Sequence, residues 1–308
     1  MFKYILNRLI NNFMSLICSR QAFPLLRLYR YKKKQSTFFY FDFSDPTTHL
    51  GDRLFFIPLI YTLLTHNFII KLSRKDILTN DLLENILGFK LPQGVPNNND
   101  IVIYPRPSFL SFKNNYSNVV LVDFLDTNIK YKISKQLIDS FARLLSINFE
   151  SNYKLKIFNC SSLHLKGNHK FYYLFSNYIN SGKFRKFFIK ESLLINKAKE
   201  LKNAGFEIIH VGSLEDLNSD SRVYSFVDID LRGKLDLNEF ICLVASENIL
   251  GAVTYDNFLM HLLGILNKKN SYVFFRGRFS SKNYDHHINF VNNNFYNSNI
   301  VINYLLDN

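Results

Sequence analysis

Gly51 and Asp52 lie between a strand-like run and a helix-like run, within His49-Leu50-Gly51-Asp52-Arg53-Leu54. Gly51 permits a tight strand-to-helix turn. A carboxylate just beyond it is favoured by the helix macrodipole. Asp52 therefore fits an ordinary helix cap. Further along, Asn180-Ser181-Gly182-Lys183-Phe184-Arg185-Lys186-Phe187-Phe188 is followed by Glu191. Lys186 lies among Lys183, Arg185 and Lys190 and fits a solvated basic patch. Gly212 and Ser213 end the run FEIIHV, with Glu215 and Asp216 just beyond. Such a strand end lets backbone approach a nucleotide and a carboxylate approach its ribose, though generic α/β strand ends look the same. Finally, Asp256 and Asn257 follow the run NILGAVT and open a helix whose first turn carries His261. Polar groups then stand at the carboxyl end of a strand and the positive end of a helix, where open α/β sheets bind phosphate-bearing ligands. His261 fits a core or capping histidine as well.

These residues are useful only if regular elements hold them. STFFYFDF (36–43) reads as a strand, broken by Ser44-Asp45-Pro46. Residues 52–66 carry Leu54, Ile57, Leu59 and Leu63 at helical spacing. Strands are expected over 68–72, 101–104 and 119–124, and helices over 76–87, stopped by Gly88, and over 133–147. The pattern pauses between 148 and 170 and then restarts. A strand is expected at 171–175, a polar loop at 177–183, a helix at 191–203, Gly205, and a strand at 206–212. The stretch 228–277 reads as strand, Gly-Lys loop, helix, strand, tight turn, helix, strand. This alternation implies parallel sheets flanked by helices, an α/β class. The apolar end, 300–306, is expected to pack back as a helix or strand.

Lys and Arg number 38 against 25 acidic residues, a formal charge of +13, which suits an anionic partner. Recognised nucleic-acid motifs are absent, so no nucleic-acid partner is expected. Cys18, Cys160 and Cys242 are isolated, with no metal spacing and no disulfide framework, which favours a reducing cytoplasm. Asp285-His286-His287 fits a surface loop, because adjacent side chains point apart; no metal is expected. No uncharged run approaches the ~20 residues needed to span a bilayer. Residues 1–30 read as a basic and apolar helix, with Lys3, Arg8, Arg20, Arg27 and Arg30 among Phe, Leu and Ile, followed by Lys32-Lys33-Lys34. That segment fits an acidic membrane face or the protein's own surface equally well. A signal peptide fits poorly, since Arg8 and Asn11-Asn12 interrupt the apolar run. The motifs G-x-x-x-x-G-K-[ST], G-x-G-x-x-G and G-x-S-x-G are missing.

Taken in order, the motifs resemble glycosyltransferase family 9, the heptosyltransferase-like enzymes. HLGDRLFFIPLIYTL resembles the family's S-x-G-D-x-[LV]-x-x-x-P-x-[LI]-x-x-L, with Arg53 where Val or Ile is usual. Lys186, Phe188 and Glu191 fall on the spacing of K-x-W-P-x-E, with Phe188 for Trp and Ile189 for Pro. Residues 206–216 are similar to V-V-L-V-G-G-P-x-[DE]. Asp256, Met260 and His261 match D-[ST]-G-x-M-H, with Asn257 for Ser or Thr and Phe258 for glycine. The likeness covers about 38–65 and 171–277. It implies a GT-B fold, two Rossmann-like domains facing a central cleft. The expected division is a basic segment over 1–36, an acceptor domain over 37–165 and a donor domain over 166–308. It further implies inverting, metal-independent transfer, without a cofactor, from a nucleotide-diphosphate sugar to a lipid-linked or core glycan of lipopolysaccharide or another surface glycan. The location implied is the cytoplasm, on the inner face of a bacterial plasma membrane. Asp52 would be the catalytic base. Lys186, Gly212, Ser213, Asp256, Asn257 and His261 would bind the donor. Phe258 favours a rival in which the fold binds glycan or nucleotide without transfer.

Overall fold

The computed structural model describes residues 9, 13, 20–23, 26–29, 31, 38–44, 50–73, 80–83, 86, 88, 90–105, 116–122, 133–149, 171–177, 191–255, 257–266, 268, 270–274 and 302–304. The described residues through 149 belong to one compact unit and those from 171 onward to a second.

The first unit holds a seven-stranded sheet. Its strands are β1 (Arg20–Phe23), β2 (Leu26–Tyr29), β3 (Phe38–Phe41), β4 (Ile69–Ser73), β5 (Gln93–Gly94), β6 (Ile101–Tyr104) and β7 (Val119–Val122). They run in the order β1-β2-β7-β6-β3-β4-β5. β7, β6, β3, β4 and β5 pair in parallel. Helices α1 (Leu50–Leu54), α2 (Ile57–Thr65) and α3 (Ile133–Leu145) belong to this unit, and residues 80–83 are helical as well.

β3 shows why this sequence makes a strand. Phe39, Phe41 and Phe43 alternate onto one face and are fully buried. There Phe43 meets Phe56 edge-on at 5.4 Å, and Phe39 meets Phe141 of α3 at 6.2 Å. Tyr40 points to the other face and packs with Val102, Tyr104, Val119 and Leu121. A period-two pattern with both faces buried is what a central parallel strand requires. α2 starts at a proline-compatible position, with Pro58 in its first turn, where the missing N–H has no intrahelical partner to lose.

One expectation is corrected here. Residues 20–29 were expected to continue a helix, but they form a hairpin, β1 against β2, with Phe23 opposite Leu26. β2 then pairs antiparallel with β7, Leu26 opposite Val122 through Tyr29 opposite Val119. The sheet edge at β7 explains the override. An unpaired edge leaves a row of backbone donors and acceptors unsatisfied, and Arg27 and Tyr29 cost little there because both remain partly exposed. Leu9 and Phe13 do lie in helical backbone.

The second unit holds a six-stranded sheet in the order β10-β9-β8-β11-β12-β13. Its strands are β8 (Tyr172–Ser176), β9 (Glu207–His210), β10 (Ile229–Asp230), β11 (Ile249–Tyr255), β12 (Ser271–Phe274) and β13 (Ile302–Tyr304). All pairings are parallel. α4 (Glu191–Asn203) lays Leu194, Ala198 and Leu201 into the core beside Tyr173, Phe175, Ile208 and Val253. It ends at Gly205, whose φ of 94° suits glycine, with Phe206 N–H donating to the Leu201 carbonyl. α6 (Leu237–Ala245) begins with a reciprocal cap between Asp236 and Glu239. α7 (Phe258–Ile265) follows β11. A short helix, α5 (Leu214–Ser219), stands where the sequence reads as a loop. The expected strands of both halves are present, and the last apolar segment supplies an edge strand.

Candidate functional site

Every parallel strand of the second sheet ends on the same side, so the strand ends collect side chains from distant parts of the chain. At the β11–α7 junction, Asn257 adopts extended backbone (φ −123°, ψ −167°) and caps the helix: its Oδ1 accepts from Leu259 N–H at 3.0 Å. The same oxygen lies 3.2 Å from Thr254 Oγ1, which donates to it. Its Nδ2 donates to Ser176 Oγ, at the end of β8, at 3.3 Å. The expected strand-to-helix turn is therefore tied to the neighbouring strand. His261 falls on the first turn and is partly exposed, and Met260 is buried. Phe258 occupies the first helical position, and its ring lies 6.3 Å from that of Phe240 on α6. The ring thus leans toward α6. Asp256 lies outside the described residues.

At the end of β9, Ser213 is the N-cap of α5. Its hydroxyl accepts from Asp216 N–H, and Asp216 Oδ2 accepts from Ser213 N–H at 2.7 Å. A Cβ at position 212 would come within 2.7 Å of Asp216 Oδ2, so a larger residue there would have to displace the carboxylate from this cap. Burial pushes the Asp216 carboxyl up, against the hydrogen bonds from Ser213. Glu215 is exposed.

A large polar constellation among the described residues of this unit, Glu191 apart, escaped sequence reasoning. Asn177 follows β8, and its amide nitrogen lies 3.0 Å from Glu191 Oε1, 2.9 Å from Asp220 Oδ2 and 2.9 Å from Tyr224 Oη. Its amide oxygen is 2.9 Å from His210 Nε2 at the end of β9, so His210 donates. Arg222 donates from Nη2 to Glu191 Oε1 and Asp220 Oδ2, each at 2.7 Å, and from Nε to Asp220 Oδ1 at 2.7 Å. Below it, Arg232 is almost wholly buried at 2 % exposure. It grips Asp230 through Nε and Nη2 and donates to the backbone carbonyls of Asp220 and Arg222. Burying a guanidinium is costly unless its donors are paired, and here the carboxylate and two carbonyls meet that need.

The electrostatics follow from these contacts. Burial, then the nearby Arg232, pushes His210 down to about 4, so it is neutral at ordinary pH. The hydrogen bond from Arg222 holds Asp220 well below the usual carboxylate range. Burial alone would raise Glu191, but hydrogen bonds from Arg222 and Asn177 outweigh it and leave it lowered. Burial raises the Tyr224 phenol, and the carboxylates of Glu191 and Asp220 raise it further. Charged partners are therefore locked together across residues 177 to 232.

Asp52 lies in α1, and only its backbone is among the described residues. Gly51 beside it is buried, and Arg53 donates to the Phe43 carbonyl at 3.4 Å. Lys186 lies outside the described residues. The structure thus brings Asn257, His261, Gly212 and Ser213 to the strand ends of one unit and leaves Asp52 in the other. Of the missed residues, Asp230 and Arg232 had one faint signal, their i, i+2 spacing at a strand end. Among the described residues, no group of three or more His, Cys, Asp or Glu is placed to hold a metal ion. No described helix is long and apolar enough to cross a membrane.

No protein-family model and no curated protein sequence matches the chain. Solved structures do. A family 9 glycosyl transferase from Veillonella parvula DSM 2008 aligns over 90% of each chain, with a TM-score of 0.62 at 15% identity. The E. coli heptosyltransferase WaaC with ADP aligns over 87% of this chain and 93% of its own, with a TM-score of 0.57 at 11% identity. The E. coli ADP-heptose lps heptosyltransferase II aligns over 87% and 92%, with a TM-score of 0.53 at 13% identity. At these identities what is shared is the fold: two α/β units in the GT-B manner, as found in family 9 glycosyltransferases.

Proposed function

We propose that the chain is a glycosyltransferase that moves a sugar from a nucleotide-diphosphate donor to a lipopolysaccharide or other surface-glycan acceptor. The observation that carries this reading is the β11–α7 junction. Asn257 caps a helix at the carboxyl ends of β8 and β11, so the positive end of α7 is held where a phosphate-bearing ligand is best stabilised. WaaC, which shares the fold, was solved with ADP. In this reading the donor sits on residues 166–308, with Lys186, Gly212, Ser213, Asp256, Asn257 and His261 around it. Ser213 and Gly212 act there through backbone, because the cap of α5 engages the Ser213 hydroxyl. Residues 37–165 hold the acceptor, and Asp52 removes the proton from its attacking hydroxyl. The anomeric carbon inverts in this single displacement, without a metal ion, because the helix end and Lys186 stabilise the leaving diphosphate.

The test is direct. Purified protein is screened for thermal stabilisation by a nucleotide-sugar panel, and transfer is then measured for the best donor. Asp52→Asn is expected to keep donor affinity and lower turnover by about 10²–10⁴-fold. Full turnover in that variant removes the mechanism. A second reading, nucleotide or glycan binding without transfer, rests on Phe258. If it holds, wild type binds a nucleotide or glycan yet transfers no sugar from any donor in the panel, and Phe258→Gly leaves turnover absent.

The acidic inner face of a bacterial plasma membrane is the expected location. Leu9 and Phe13, one helical turn apart and about 60% exposed, give the basic segment over 1–36 an apolar stripe. An apolar stripe flanked by Lys3 and Arg8 suits the interface of anionic lipid. Sedimentation with acidic vesicles should show binding at low salt that high salt weakens. Binding that survives Leu9→Asp together with Phe13→Asp contradicts this.

A further inference from the structure

We propose that Phe240 of α6 and Phe258 of α7 form an aromatic platform on which the nucleobase of the donor stacks. The platform selects bases by the breadth of their ring faces and reads little of their hydrogen-bonding edges. This rests on the function proposed above and names the part of the donor that the two rings take.

The topology brings the rings together. α6 connects β10 to β11 and α7 connects β11 to β12, and both steps run the same way along the order β10-β9-β8-β11-β12. Right-handed crossovers taken in one direction put their helices on one face of a sheet. α6 and α7 accordingly pack side by side, and each begins beyond the carboxyl end of the strand before it. Phe258 is the first residue of α7. Phe240 closes the first turn of α6, its N–H donating to the carbonyl of the cap residue Asp236 at 3.0 Å. The two ring centroids lie 6.3 Å apart with 34° between the ring planes.

Burial sets these rings apart from the core. Ile241, Leu243 and Val244 of α6 and Leu259, Leu262 and Leu263 of α7 are buried and supply the apolar sides of the two helices. Phe240 and Phe258 stand outside that set and are only half-buried. A phenyl ring offers no hydrogen bond, so its best partner is another apolar face. In a nucleotide-diphosphate sugar the phosphates, the ribose and the transferred sugar are covered with oxygens. Only the base carries a broad planar face. The polar side chains at the start of α6 are engaged by their own backbone. Lys234 donates to the Asp230 carbonyl at 2.6 Å, and Asp236 and Glu239 each accept from the other's N–H. Stacking is then the main recognition on offer, and it tolerates different bases because every base has a π-face. Asn257, which caps α7 immediately before Phe258, keeps the helix end suited to phosphate next to the ring.

The test uses the full chain and calorimetric titration with ADP, GDP, CDP, UDP and inorganic pyrophosphate. ADP and GDP should bind within about threefold of each other and about 3–10-fold tighter than CDP and UDP, because purines present the larger face. Phe258→Leu keeps an apolar side chain beside Phe240 and removes the ring. It should weaken ADP by about 5–100-fold, the scale of one lost base–aromatic stack, and leave pyrophosphate affinity unchanged. Phe240→Leu should act in the same direction. The chain contains no tryptophan, so Phe258→Trp places a single fluorescent reporter in the platform. Its emission should fall as ADP saturates the protein and stay constant with pyrophosphate. Equal losses of ADP and pyrophosphate affinity in Phe258→Leu would mean that residue 258 acts through the helix start, and the platform is wrong. ADP affinity that both leucine variants keep, with a flat tryptophan signal at saturation, also overturns the platform, while the ADP binding still supports the donor reading. Wild-type protein that binds none of the five ligands overturns the donor reading and the platform together.

Discussion

β3 and β8 lie centrally in their sheets, both pair in parallel on each side, and both are buried along nearly their whole length. They end differently. β3 runs on into Phe43, which joins Phe41 and Phe56 in an aromatic cluster. β8 ends in Ser176 and is followed by Asn177, and these two bond to five polar residues: Glu191 of α4, Asp220 and Tyr224, His210 of β9, and Asn257 at the start of α7. An aromatic strand end contributes stability by packing and tolerates little else. A polar strand end contributes only when each partner is present, and then it holds charges at fixed places. The first unit's strand end is thus held by packing, while the second unit's strand end holds charged groups at fixed places.

The largest effects should come from the deepest residues of each end. Arg232→Leu leaves Asp230 and two carbonyls without their donors, so a loss of about 3–5 kcal/mol is expected in the second unit. Because the cost is mostly that of the orphaned partner, Arg232→Leu with Asp230→Leu should cost less than Arg232→Leu alone. Phe56→Ala in the first unit should cost about 3–5 kcal/mol by opening a cavity. Hydrogen exchange, resolved by unit, separates the two. The contrast fails if Phe56→Ala loosens the 177–232 network as much as its own sheet.

How far this contrast was legible in the sequence depends on range. β3, β8 and β11 are short apolar runs, and periodicity finds them because burial acts residue by residue. Asn257 as a helix start was equally legible, since capping is a bond to a backbone group two residues away. The hairpin at 20–29 was not. Arg20 and Arg27 resemble a basic helix face until the open edge of β7, nearly a hundred residues later, supplies partners. The Asn177–Tyr224 contact was illegible for the same reason: neither residue has a local signal, and only the order β10-β9-β8 brings them together. Lys186 and Asp256 were singled out by family resemblance and lie outside the described residues.

A pH titration should resolve the polar end in two steps. His210 has a folded value near 4, below its ordinary 6.5. A depressed value means that the unfolded chain takes up the proton first, so stability is full above about 6.5 and falls as pH drops toward 4. The slope there is at most about 1.4 kcal/mol per pH unit. Below 4, lowered Asp220 and Glu191 lose their contribution as they protonate. His210→Gln should flatten the first step and leave the second. A first step of unchanged slope in that variant assigns it to another group.

The smallest effects sharpen the comparison within the second unit. Asn257 and Asp236 are both N-caps, of α7 and α6, and replacing either by Ala should cost about 1 kcal/mol. Their surroundings differ. Asp236 is paired only with Glu239 in its own helix start, whereas Asn257 also reaches Thr254 and Ser176 on two strands. If α7 receives the donor's phosphates, Asn257→Ala should weaken ADP binding several-fold beyond its effect on melting, because the helix end is no longer held to β8. Asp236→Ala should lower the melting temperature by a similar amount and leave ADP affinity alone. Asn257→Ser keeps an oxygen for Leu259 N–H but loses the amide that reaches Ser176. It should therefore recover stability more fully than affinity. Equal loss of ADP affinity in the Asn257→Ala and Asp236→Ala variants would show that helix stability alone is being measured, and the assignment of α7 as the phosphate-receiving helix would fall.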